Sequence, residues 1–406
     1  MRVLFTTPIL EHPAAGGPQL RIENSIKALS AACDLDIINR ASGAPDDVKR
    51  TGDYFEPFCN EYHVLPVRNL NSRFSRYLSF PEKIINRLFG TRLRRHAKIL
   101  LEHVDRRKID VLWFGYGNIS YPLICLIKAK RPELKVVCDT DSVWSRFVLR
   151  EAPYAKGIRK FRILQSGRKK EAEERAWVSL CDVTTAVSEV DAEYYRSVAA
   201  DPGRVHVFSN VIDVQSYQAA PPAPANFKKP SIYLAGSFGH YNSPMDTAAR
   251  WMLEEVFPIV LKKYPDLHFY IVGRDSELGF GQFNGPNVTV TGRLDSVLPY
   301  LCNVDVALVP LMFESGTRFK ILEAGACKIP LVSTTLGAEG IPVVDGRDIL
   351  IADEPGEFAD AITKILDDKN LADKLAQNCF RLVTERYSVE ALTAEAKHIL
   401  EDLNHD

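Results

Sequence analysis

An alternation that occurs twice constrains this chain most. Short apolar runs at residues 2–6 (RVLFT), 110–115 (DVLWFG), 134–139 (LKVVCD) and 182–187 (DVTTAV) are separated by helical patterns, as at 18–32 and 160–178. Runs this short and this apolar read as strands buried on both faces, and helices between them make parallel β-α-β units. The pattern breaks at residues 213–230 (DVQSYQAAPPAPANFKKP), rich in proline and alanine and without apolar period, which reads as a linker. It restarts at 231–236 (SIYLAG), 267–273 (LHFYIVG), 287–292 (NVTVTG), 304–310 (VDVALVP) and 329–334 (IPLVST), with a strong amphipathic helix over 243–265. The expected architecture is α/β. Rossmann-like domains at 1–212 and 231–386 flank the linker, and a terminal helix at 387–406 packs back on the first domain. Open parallel sheets bind ligands at the carboxyl ends of their strands, so the cleft between two such domains is the expected site.

A chain of 406 residues is long enough for both domains. Its net charge of −1 hides an asymmetry: residues 1–210 hold 34 Lys and Arg against 25 Asp and Glu, the remainder 17 against 27. Halves of opposite sign point to different partners. The 8 cysteines are scattered, without a C-x-x-C pair or a cysteine/histidine cluster, so neither a disulfide framework nor a zinc site is expected, and the thiols read as reduced core residues. The first residues, MRVLFTTPIL, lead straight into Glu11 and His12 and read as a strand rather than a signal core. No apolar run reaches the ~18 residues a membrane span needs. A cytoplasmic protein, at most peripheral on the inner face of the membrane, is expected.

Four stretches carry chemistry. Gly16 and Gly17 lie between the first strand and a helix, where bare backbone lets a ligand approach and helix N–H groups favour an anion; an ordinary turn is the plain alternative. Arg21, one turn on, faces either cleft or solvent. Asp139 and Asp141, in VVCDTDSVWSR, follow a strand. They fit a polar role in a cleft, a helix cap or, less well, a cation site. In ESGTRFKILEAGACKIP (314–330), Thr317 is placed to cap a helix whose first turn carries Arg318 and Lys320. Cations there are opposed by the helix dipole, and a bound anion would resolve the conflict. Lys320 and Glu323 share a side; a simple ion pair is the bland reading, but their neighbours are apolar. Finally, VGRDSE (272–277) and TGRLDSV (291–297) each set Gly-Arg just after a strand, with Arg274 and Arg293 suited to a base or phosphate edge or simply to solvent.

The segments GTRFKILEAGACKIPLVSTTLGAEGI, YIVGRD, VTVTGRLDSVLPYLCNVDVALVPL and YLAGSFGHYNSPMDTAARWM resemble the donor-binding domain of glycosyltransferase family four, the group 1 glycosyl transferases. GGPQLR and CDVTTAVSEVDAEYYR fit its acceptor domain. The likeness is strongest over 231–340, and extends more weakly to the sugar transferases of bacterial exopolysaccharide and exosortase-type systems. The resemblance implies a GT-B fold of two Rossmann-like domains facing across a cleft, a nucleotide-sugar donor, retention of anomeric configuration, and no metal or other cofactor. Glu323 matches the second glutamate of the family's paired-glutamate motif, which holds the ribose. The first, a sugar contact, falls at Ser315, with Glu314 one residue away. The phosphate-binding arginine–lysine pair expected near Gly236 is absent from GSFGHYNSP, so that charge falls to Arg318 and Lys320 with His240 assisting. Gly16 and Gly17 match the loop approaching the donor phosphate, Asp139 or Asp141 the polar residue at the reaction centre. Gly316, Thr317, Arg274 and Arg293 complete the expected donor set.

Residues 156–170 (KGIRKFRILQSGRKK) carry seven Lys and Arg and no acid, and 68–108 carry twelve against three acids with aromatic residues interleaved. Such a surface suits an anionic membrane and a lipid-linked acceptor, or is a solvated face. Charge alone also admits nucleic acid, but no nucleic-acid motif is present. The expected function is transfer of a sugar from a nucleotide-diphosphate sugar to a glycan or lipid-linked acceptor. A catalytically weak scaffold binding a nucleotide sugar or partner, and a sugar-nucleotide epimerase, are the alternatives.

Overall fold

The computed structural model describes residues 1–14, 16–41, 43–65, 91–239, 241–313 and 318–405. It divides into two compact units: Met1–Val143 with Arg168–Ser209 and Leu392–Asp406, and Trp144–Gly167 with Asn210–Ala391.

The first unit holds a seven-stranded sheet of β1 (Arg2–Thr7), β2 (Asp34–Asn39), β3 (Glu61–Val64), β4 (Val111–Gly115), β5 (Lys135–Asp139), β6 (Val183–Ala186) and β7 (Val205–Val207). All pairings are parallel, in the order β3-β2-β1-β4-β5-β6-β7. β4 is buried along its whole length, which is why it reads as one apolar run rather than an alternation. Leu4, Phe114 and Val136 pack with Leu100, Ile124 and Trp177 from the covering helices. The apolar runs mark β1, β4, β5 and β6 but not β2, β3 or β7. In β2 the pattern is broken by Asp36, which is buried yet bonded by His103 Nε2 at 2.9 Å and Arg107 Nε at 3.0 Å. A charge answered by a distant helix looks like a surface residue in sequence.

The second unit holds β8 (Ser231–Ala235), β9 (His268–Val272), β10 (Val288–Val290), β11 (Val306–Val309), β12 (Leu331–Ser333) and β13 (Leu350–Ile351), parallel in the order β10-β9-β8-β11-β12-β13. Only the two-residue β13 has no counterpart among the apolar runs. In each sheet the strand order reverses once, at β1/β4 and at β8/β11, and a crevice for ligand opens at the carboxyl ends beside such a reversal.

The long helix expected over 243–265 forms as Pro244–Trp251 and Phe257–Lys263 joined by a π turn, Met252–Val256. Pro258 lacks the N–H that a regular helix would need there. Ser243 caps its start, the hydroxyl accepting from Asp246 N at 3.2 Å.

The stretch read as a linker is not free. It forms a turn at Val214–Tyr217. Phe227 stacks on Tyr270 with centroids 4.7 Å apart, Lys228 N donates to the Tyr270 hydroxyl at 2.6 Å, and Asn303 Nδ2 donates to Pro221 O at 3.0 Å. Proline and alanine hide this anchoring because two aromatic side chains supply it. Trp144–Gly167, numbered with the first domain on sequence alone, counts with the second unit, where Arg150 grips Glu339 through two bonds of 2.7 Å. Leu392–Asp406 belongs to the first unit, where Glu395 accepts from Ser209 N and Oγ at 2.7 and 2.8 Å. All eight cysteines are free.

Candidate active site

In the first unit the candidate residues gather around the carboxyl ends of β1, β4 and β5. Arg21 and Asp139 are 2% and 0% exposed. The Arg21 guanidinium donates to Asp139 Oδ1 and twice to Phe208 O at 3.2 Å, and Thr185 Oγ1 donates to the same Oδ1 at 2.7 Å. Asp139 Oδ2 has no hydrogen-bond partner among the described residues. This aspartate therefore lies beneath the site, and Arg21 faces neither cleft nor solvent. Asp141 keeps partial exposure, its Oδ1 accepting from Asn118 Nδ2 at 2.6 Å. Of the two aspartates, it is the one that a substrate can reach.

Gly16 is extended and a Cβ there would meet nothing closer than 3.8 Å, so packing does not demand glycine at this position. Gly17 opens the helix Gly17–Ser30, whose first N–H groups lack helical partners. Tyr116 was not legible. It follows β4 in the left-handed region (φ 56°), buried between Gly115 and Gly117, where an added Cβ would sit 2.4 Å from Phe5 and 2.5 Å from Cys138. A tyrosine held there is strained, and such strain gathers at functional sites. Burial and the nearby Asp141 charge push its hydroxyl pKa well up. The Gly-Tyr-Gly triplet was the available signal.

In the second unit, three glycine turns stack at the carboxyl ends of β8, β9 and β10. A Cβ on Gly273 would lie 2.0 Å from Gly236 O, and one on Gly236 2.8 Å from Met245. Gly273 N donates to Gly292 O at 3.2 Å. These contacts put Arg274 and Arg293 on neighbouring loops, both exposed, with Arg274 Nη2 donating to Ser237 Oγ at 3.1 Å.

After β11 the chain enters the helix Phe319–Ala326 with Arg318 as its N-cap residue, buried at its threshold. Gly325 lets this helix pack closely: a Cβ there would lie 2.8 Å from both Cys379 and Val383. Lys320 and Glu323 are half-buried on it. The simple ion pair does not form; among the described residues no carboxylate lies within ion-pairing distance of Lys320. Instead Glu323 Oε1 accepts from the Tyr217 hydroxyl at 3.2 Å. Withdrawal from water raises the Glu323 pKa, opposed by the Lys320 charge and by that hydrogen bond. Burial and the Glu323 charge drive the Tyr217 hydroxyl far up. Tyr217 was missed because it lies in the stretch that reads as linker. His240, Glu314, Ser315, Gly316 and Thr317 lie outside the described residues.

Residues 229–368 match the family model described as glycosyl transferases group 1. A protein of the cps region of Klebsiella pneumoniae is 25% identical over 146 residues, 34% of this chain and 38% of its own length. The D-inositol 3-phosphate glycosyltransferase of Paenarthrobacter aurescens (strain TC1) is 31% identical over 124 residues, 27% of this chain and 30% of its own. The chain thus spans about a third of the length of these relatives. The crystal structure of Anabaena Alr3699/HepE in complex with UDP and glucose superposes over 99% of this chain and 100% of its own, with TM-score 0.67 at 13% identity. That likeness is one of fold. Residues 229–368 are thus similar to the group 1 glycosyl transferases, and the two parallel sheets share the GT-B fold of the Anabaena neighbour.

Proposed function

We propose that the protein is a retaining, metal-independent glycosyltransferase that moves a sugar from a nucleoside-diphosphate sugar to a glycan or lipid-linked acceptor. The observation that carries this reading is Glu323, held by Tyr217 on the helix that follows β11, with Lys320 one turn before it. A half-buried carboxylate fits the two hydroxyls of a ribose. Lys320, Arg318 and the helix N-terminus fit the diphosphate, and Arg274 and Arg293 fit its outer edge.

Cleaving the bond between sugar and diphosphate builds negative charge on the leaving group. Fixed cations and N–H groups stabilise that charge without desolvating a metal. Retention then proceeds by attack on the same face, the departing phosphate oxygen taking the acceptor proton, and no protein nucleophile is needed. On the first unit, the partly exposed Asp141 is the polar group offered to an acceptor. The uridine nucleotide of the Anabaena neighbour makes UDP-sugars the first donors to try.

The acceptor reading is supported by the helix Gly157–Leu180. Ile158 and Phe161 are 73% and 67% exposed and stand among exposed Lys156, Arg159, Lys160 and Arg162. Apolar anchors inside a basic patch suit an anionic lipid surface. Residues 68–90 of the other basic stretch lie outside the described residues, and among those described no helix is long and apolar enough to cross a membrane.

The test of the donor site is a thermal-shift screen with UDP, GDP, ADP and their sugars, with and without EDTA. One diphosphate should stabilise the chain by about 2.7 kcal/mol at a hundred times its dissociation constant. The shift should survive EDTA and fail in Glu323→Ala and Lys320→Ala. No shift with any nucleotide would remove the donor-site reading. Sedimentation with anionic vesicles tests the surface separately: binding at low salt should fall at high salt and in Ile158→Ser/Phe161→Ser.

A further inference from the structure

The edge strand β7 carries His206, and the terminal helix Val389–His405 carries His398 and Asp402 one turn apart. All three belong to the first unit, and their donor atoms lie within 4.8 Å of one another. Nε2 of each imidazole is 3.7 Å from the same Asp402 Oδ2. That is too long for a hydrogen bond. It is close to the spacing of two ligands on one ion: around a tetrahedral zinc, donors about 2.0–2.2 Å from the metal stand roughly 3.3–3.6 Å from each other. The rings are edge to face, with centroids 5.7 Å apart, so they do not stack on one another.

A second cluster, Glu61, His63 and His103, shows what a filled network looks like. There Arg106 donates to Glu61 through both guanidinium nitrogens, Arg107 Nε pairs with Glu61 at 3.2 Å, and His103 Nε2 is bonded to Asp36 at 2.9 Å. Two guanidiniums take both the charge and the lone pairs that a dication would need. Around Asp402, by contrast, no lysine or arginine forms an ion pair among the described residues; its partners are the two imidazoles.

We propose that His206, His398 and Asp402 bind one divalent cation of the zinc class, with water completing the shell. Two neutral imidazole nitrogens and one carboxylate oxygen are a donor set for a borderline first-row ion rather than for magnesium or calcium. The ion clips the last turns of the terminal helix to the sheet edge. Along this helix Glu395 is bonded to Ser209 and Lys135 Nζ donates to Leu403 O, and the ion adds a side-chain tie between these two anchors. The role is structural and independent of the donor site. The residues come from segments far apart in the chain, so no spacing in the sequence announces them.

The test uses tag-free full-length protein stripped with a chelator and titrated with zinc chloride in a calorimeter. Amide hydrogen exchange over residues 392–405 is followed in parallel. One zinc per chain is expected, with slower exchange in the terminal helix. His398 is exposed, so His398→Ala should fold as the wild type does; it should weaken zinc binding by roughly tenfold or more and abolish the exchange effect. Asp402→Asn should act in the same direction. The proposal is overturned if the wild type shows no saturable zinc binding, or if His398→Ala binds as tightly as the wild type. Zinc binding that leaves the exchange of 392–405 unchanged would overturn the clip.

Discussion

Each unit sets a carboxylate and a cation near the carboxyl ends of its strands, and the two sets are built in opposite ways. Arg21 and Asp139 are closed off from water and locked to each other, to Thr185 and to Phe208 O. Lys320 and Glu323 are half-buried, form no ion pair among the described residues, and Glu323 is steadied by a tyrosine hydroxyl. In sequence all four look alike: charges among apolar neighbours. The first pair directs its electrostatics into the fold. The second leaves a cation and an acceptor with capacity for a ligand. Partial exposure with incomplete bonding distinguishes a binding group from a structural one better than charge or context does.

The sharpest way to break this comparison is Arg21→Ala. It strands a buried carboxylate, and the unfolding free energy should fall by about 3–5 kcal/mol in urea denaturation. A loss under about 1 kcal/mol would place Arg21 among ordinary surface residues. Lys320→Ala should do the reverse. Charge-assisted bonds to phosphate contribute about 1.5–3 kcal/mol, so nucleoside-diphosphate affinity by calorimetry should drop at least roughly tenfold. Stability should stay within about 0.5 kcal/mol of the wild type. If stability falls and affinity does not, Lys320 belongs with Arg21.

Tyr217→Phe removes one hydroxyl and leaves the ring. Losing that bond to Glu323 should weaken nucleotide binding by about 0.5–1.5 kcal/mol, and an unchanged affinity would show that Tyr217 only packs. The smallest effect is one of pH. The Glu323 pKa is raised above its ordinary 4.5, so the folded state holds this proton more tightly than the unfolded one. Its contribution to stability is fully present below pH 4.5 and is lost as pH rises through the raised value. Glu323→Gln carries no such titration. Its melting temperature relative to the wild type should therefore climb from pH 4.5 towards neutrality, and parallel profiles would contradict the raised pKa. Glu395 shifts in the same direction, which is why the difference between the two proteins is the quantity to follow.

Much of the fold was legible because parallel strands buried on both faces are written as unbroken apolar runs, and nine of the thirteen strands among the described residues carry one. The strands that escaped are short or carry a charge whose partner sits on another element, as Asp36 does with His103 and Arg107. Site legibility followed the same line. Glu323, Lys320, Arg274 and Gly236 stand in short local stretches, and the roles expected of Glu323 and Gly236 come from the family resemblance those stretches carry. Tyr217 and Tyr116 carry no such resemblance: one acts from a stretch that reads as linker, and the other is flagged only by the glycines on either side of it.

The sequence by itself determined the two parallel sheets, the break between them and the helix that carries Lys320 and Glu323, because hydrophobic period and turn chemistry are local properties. Tertiary structure alone decided that Asp139 is an anchor while Asp141 stays accessible, that residues 213–230 are pinned along the second unit, and that His206 meets His398 and Asp402. Burial and bonding belong to neighbours in space, and closing a chain over long loops brings together groups that no window of sequence contains.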